Sequence, residues 1–140
     1  MAFNWSILVQ YWPRFLSGTL TTVKYAAIAI AFAIIWGVLI GSITYRNPKV
    51  FGPILKGYVT FFRETPLLVQ IYFLFYGVSR FVEVSAGMMG VIALVLNDGA
   101  FIAEIIRGGL QSIDKGQSEA AISLGFTRIQ TLRYFLLPQA

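Results

Sequence analysis

The chain has no cysteine and no histidine. Their absence excludes disulfides and thiol chemistry and removes the usual zinc ligands. Charge is also scarce: Asp, Glu, Lys and Arg make up 12% of the 140 residues, against about 25% in soluble domains. Acids are the rarer sign, 6 against 11 bases. No Gly-x-x-x-x-Gly-Lys-Ser/Thr phosphate loop occurs, so ATP is not bound by that route. No serine–histidine or metal constellation occurs either. The expectation is a chain that is not an enzyme, with no catalytic residue, no cofactor and no metal.

What fills the chain is apolar. Hydrophobic residues make up 57% of it, and the mean hydropathy is +0.72. A chain of this length and character would expose too much apolar surface unless lipid covered it. The net charge of +5 would suit a nucleic-acid partner only if its location were ignored. The bases sit in loops beside apolar runs, which fits anionic headgroups and membrane orientation, with no nucleic acid implied.

The clearest span is Tyr25–Tyr45, uncharged between Lys24 and Arg46, about the 20 residues a helix needs to cross the hydrocarbon. Within it Ala29, Ala33, Gly37 and Gly41 recur every four residues. Such a ladder of small side chains lets another helix approach closely. Before it, residues 1–24 form an outer segment in which Trp5, Tyr11 and Trp12 suit the headgroup region. Asn47-Pro48-Lys49 marks a turn.

The next uncharged run, Thr65–Ser79, is too short to span on its own. Thr65-Pro66 predicts a break, because proline disfavours helix in the residue before it and suits a helix start. A membrane-edge segment over 53–63 and a helix over 66–77 are expected, with a gating role for the break as one reading. Another span runs over about 84–106. Three complete spans put the termini on opposite sides. Arg46, Lys49, Lys56, Arg107, Lys115, Arg128 and Arg133 then face the cytoplasm, leaving Arg14, Lys24 and Arg80 outside. The positive-inside rule places the N-terminus outside.

Two acids fall inside the last of these spans. An acid there is costly, which invites a functional reading. Asp98 lies beyond the middle, flanked by Asn97 and Gly99, which weaken a continuous helix. Glu104 lies nearer the inner edge with Arg107 at i+3, within reach of a local ion pair. The two acids project to different faces and make no carboxylate pair.

Residues 111–133 are polar between apolar runs. Asp114 is an N-cap candidate with Gln117 three residues on, opening a helix over 117–124 that meets Gly125. Thr127 with Gln130 repeats the pattern for a second short helix.

These blocks resemble a known family. Glu119-Ala120-Ala121, then Gly125, then Leu137-Pro138 looks like the EAA loop of ABC importer permeases. The stretches FRETPLLVQ over 62–70 and GAFIAEIIRGG over 99–109 resemble the polar amino acid (His/Glu/Gln/Arg/opine) permeases. The resemblance covers residues 15–140, read as a permease transmembrane domain incomplete at its C-terminus. It implies an all-α membrane protein of the type I importer kind. That fold has about three complete transmembrane helices, a cytoplasmic helix-turn-helix coupling loop and the start of a fourth span.

The function implied is an ATP-driven amino acid importer of the bacterial inner membrane. Implied partners are an ABC ATPase, a second permease subunit and a periplasmic or lipid-anchored substrate-binding protein. Glu119, Ala120, Ala121, Leu124 and Gly125 would dock the ATPase. Glu104, as a contact for a substrate's ammonium or cationic side chain, Asp98 and Thr65 are the substrate-pathway candidates. A passive channel or gradient-driven carrier, or an inactive permease fragment, remain the alternatives.

Overall fold

The computed structural model describes residues 6–140, so the expectation for Trp5 lies outside the described residues. Helix α1 runs Ser6–Arg46, 41 residues without interruption. At 1.5 Å per residue it is about 60 Å long, twice a hydrocarbon core of about 30 Å. Residues 6–24 are thus helical and continuous with the apolar run. Pro13 lies inside α1 without ending it.

Asn47 ends α1 in the left-handed region, φ 48°, which its short polar side chain tolerates. Its N–H bonds back to the Ile43 and Thr44 carbonyls. The turn is tight: a methyl group built on Gly52 would lie 2.8 Å from Asn47 Oδ1. Helix α2 follows, Phe51–Glu64.

α2 covers the segment expected at the membrane edge, and its packing is what the sequence did not show. It lies lengthwise between α1 and α4 (Ala86–Ser112). Val59 packs with Ile40 and Ala103 in a small core flanked by Leu55 and Tyr58. Trp36 Nε1 donates to the Tyr58 hydroxyl (3.0 Å), which donates to the Leu96 carbonyl (2.7 Å). One tyrosine therefore ties three helices together. The sequence concealed this because Lys56 and Arg63 fall within about one turn of Val59 on the same side of α2, which breaks the apolar face that Val59 helps to bury.

The expected break is present. Thr65 and Pro66 are extended, with ψ of 138° and 133°. Helix α3, Leu67–Tyr72, then widens into an i+5 turn over Phe73–Gly77. Across a short loop Ser85 caps α4, accepting from the Met88 N–H. α1 and α4 are the helices long and apolar enough to cross a membrane. α2 and α3 together form an interrupted helix beside α4.

The α1–α4 contact is the most extensive in the chain. Ala29 and Ala33 are buried. At Gly37 an added methyl would fall 2.5 Å from the Ile102 side chain, and at Gly41 2.6 Å from the Ala103 carbonyl. α4 stays helical through Asn97-Asp98-Gly99, contrary to the weakening expected there. Gly99 instead receives the Trp36 ring, 2.8 Å from where a methyl would be. It serves close packing, and the flanking helix holds α4 intact.

The polar loop folds as helix α5, Lys115–Ser123, and helix α6, Arg128–Thr131, continued by a wide turn over Leu132–Leu136. α5 begins two residues before the expected start. Asp114 caps it through the Gly116 N–H (2.7 Å), so the Asp114–Gln117 box does not form. Thr127 and Gln130 do form the full capping box.

Candidate functional site

The broken helix places a polar junction near the middle of α4. Pro66 has no N–H, so the Phe62 carbonyl, one turn earlier, loses the donor a continuous helix would supply. Two side-chain amides take its place. Gln70 Nε2 donates to the Phe62 carbonyl (3.0 Å), the Thr65 carbonyl (3.0 Å) and Thr65 Oγ1 (2.8 Å). Asn97 Nδ2 donates to the same Phe62 carbonyl (2.9 Å) and to Gln70 Oε1 (3.3 Å). Both amides are buried, at 5% and 7% exposure. Irregular backbone survives at membrane depth only when its polar groups are satisfied in this way.

Thr65 belongs to that junction. Its hydroxyl also donates to the Phe61 carbonyl (2.7 Å), so both functions of the group are occupied locally. Gln70 was not singled out in the sequence, and Asn97 was read there only as weakening α4. The available signal was Pro66 itself, which leaves the Phe62 carbonyl in need of a donor, and a glutamine four residues on.

Nearer the C-terminal end of α4 lies a charged cluster. Arg107 grips Glu104 with two guanidinium nitrogens, one of them Nε at 3.0 Å from Oε2. Arg107 also donates to Gln111 (2.8 Å). Arg63, from α2, approaches Glu104 Oε1 at 3.9 Å and lies over the Phe101 ring, 5.5 Å from its centroid. Thr44, Lys56, Val59, Thr60, Arg63, Glu104 and Arg107 line a cavity of about 320 Å³ here. The i+3 ion pair is present, and a second cation was brought in from α2, which sequence spacing could not reveal.

Asp98 stands apart from this cluster. It is half-buried on α4 and makes no hydrogen bond among the described residues. The sequence candidates Thr65, Asp98 and Glu104 therefore occupy three separate environments rather than one pocket.

At the far end of the molecule, α5 closes in a Schellman turn. The Phe126 N–H bonds the Ala121 carbonyl (3.1 Å), the Gly125 N–H bonds the Ile122 carbonyl (2.9 Å), and Gly125 has φ +88°. Glu119, Ala120, Leu124 and Gly125 are exposed. Ala121 is not, at 3% exposure. It points inward, so its side chain is unavailable for the docking contact the resemblance implied. Ile122, Leu124 and Ile129 instead put apolar surface on this polar loop, Leu124 at 76% exposure.

Residues 30–140 match the family described as binding-protein-dependent transport system inner membrane component. The chain belongs to that family. Its relatives include the putative glutamine transport system permease protein GlnP of Rickettsia prowazekii, 35% identical over 95% of this chain. The probable amino-acid permease protein YxeN of Bacillus subtilis is 37% identical over 98%. The glutamate/aspartate import permease protein GltK of Escherichia coli is 32% identical over 99%. This chain spans 63%, 63% and 66% of those proteins respectively. A crystal structure of an amino acid ABC transporter with histidines superposes with a TM-score of 0.82 at 35% identity, over 99% of this chain and 65% of that one. The chain is thus part of an inner membrane component of the binding-protein-dependent transport kind, all-α over the described residues.

Proposed function

We propose that this chain is the pathway-forming permease part of an ATP-driven amino acid importer, with its N-terminus outside and α5–α6 in the cytoplasm. The observation that carries the reading is the exposed apolar surface of Ile122, Leu124 and Ile129 on a capped, well-formed polar loop. In a chain of this family, such a patch suits docking into a groove of an ABC ATPase. Glu119 stands at its rim to pair with a basic partner residue, and Ala120 permits close approach. Ala121 acts from within, by fixing the shape of α5.

The further partners are a second permease subunit, identical or related, and a periplasmic or lipid-anchored substrate-binding protein. Asp98 and the surroundings of Thr65 and Glu104 border the pathway. The test is retention of the ATPase on the purified full-length permease. Leu124→Asp should abolish retention while leaving membrane insertion intact. Undiminished retention would take the docking role away from this patch, and no retention on the wild-type permease would argue for a channel or gradient-driven carrier.

A further inference from the structure

The cavity between α1, α2 and α4 carries an excess of positive charge. It brings together Lys56, Arg63 and Arg107 with a single acid, Glu104. Arg107 already holds Glu104 through two nitrogens, and Arg63 shares one of the same oxygens. One acid is thereby shared by two cations. Arg63 lies 3.9 Å away with its side chain 39% exposed, and among the described residues Lys56 makes no ion pair. Thr44 and Thr60 complete the wall with hydroxyl-bearing side chains.

Depth sharpens the imbalance. A hydrocarbon slab of about 30 Å centred on the 27 residues of α4 puts Glu104 and the Arg63 head inside its inner boundary. A cation at that depth is expensive unless it is paired. Guanidinium groups offer planar forks of N–H donors that match carboxylate oxygens.

We propose that this cavity is an anion site that receives a carboxylate of the transported amino acid, with Glu104 serving as a fixed internal counter-ion. This deepens the permease reading and rests on it. It also reverses the role that the sequence suggested for Glu104. A substrate ammonium would have to displace Arg107 and enter a cavity already net positive. The site favours acidic over basic amino acids, because a second carboxylate adds attraction and a second cation adds repulsion.

The test uses the full-length permease with its ATPase, in nanodiscs, with Thr60→Cys as the only reactive thiol. L-Glutamate should slow its modification by a methanethiosulfonate reagent at concentrations where L-arginine does not. Arg63→Gln should raise the half-protecting glutamate concentration by about tenfold, the worth of one charge-assisted contact. Lys56→Gln should act in the same direction, and since Lys56 is exposed, folding does not confound it. Glu104→Gln should lower that concentration.

Better protection by arginine, lost in Glu104→Gln, would overturn the assignment in favour of an ammonium site. Protection without amino acid in phosphatidylglycerol but not phosphatidylcholine would give the cavity to a lipid phosphate, and overturn it equally. If wild-type complex hydrolyses ATP in response to loaded binding protein yet glutamate gives no protection, this inference fails alone. If hydrolysis is never stimulated, the permease reading fails first.

Discussion

Asn97 of α4 donates a hydrogen bond to the Phe62 carbonyl of α2 across 2.9 Å, at the point where Pro66 leaves that carbonyl without a helical donor. Gln70 reaches the same atom from α3 at 3.0 Å. The junction therefore holds three helices by one backbone oxygen, and the Thr65–Pro66 break is a latched bend.

That geometry makes a specific prediction of epistasis. Gln70→Leu should destabilise the folded protein by about 1–3 kcal/mol, the cost of leaving buried polar groups unsatisfied. Pro66→Ala supplies the missing N–H, so the same Gln70→Leu change should cost clearly less in that background. Thermal unfolding of the four proteins of the cycle in detergent reads this directly. Strict additivity would show that Gln70 acts by packing alone.

The small-residue face of α1 gives a second prediction. Gly37 is opposed by Ile102, with no room for even a methyl group. Gly37→Leu should cost about 3 kcal/mol or more through overpacking, and assembly yield should fall with it. Val38→Leu, on a half-buried position off that line, should be mild. Similar yields for the two variants would contradict the packing seam.

At Gly125 the backbone alone should decide the outcome. Its φ is +88°, and a methyl group there would meet nothing within 4 Å. Gly125→Val should strain the turn by about 1–3 kcal/mol and reduce ATPase retention. Gly125→Asn, which tolerates the left-handed region, should retain the partner. Loss of the ATPase in both variants would point to contact with the partner in place of turn geometry.

Orientation is open to direct labelling, helped by the absence of native cysteine from this chain. Glu83→Cys, in the loop before α4, should react with a membrane-impermeant maleimide in intact cells. Gln117→Cys, on α5, should react only after lysis. The reverse pattern would place the coupling loop outside and end the proposal of ATPase docking.

By itself the sequence determined the membrane class, the apolar span within α1, the break at Thr65-Pro66, the Gly125 turn and the Thr127–Gln130 cap. Each of these follows from a local cause: hydrocarbon thickness, a missing N–H, a left-handed φ, or a reciprocal side-chain bond three residues apart. Even the ladder of small residues could be read from a four-residue period. What the local rules could not supply was the partner of each surface. They did not say what α2 meets; Val59, Tyr58 and Phe62 set it against α4 through contacts distant in sequence. They paired Glu104 with Arg107, three residues away, but could not bring Arg63 and Lys56 into the same cavity from another helix. Ala121 looked available in a polar loop and is buried by the packing of that loop. Helical periodicity says which residues share a face; only tertiary packing decides what that face meets, and with it the net charge of a cavity.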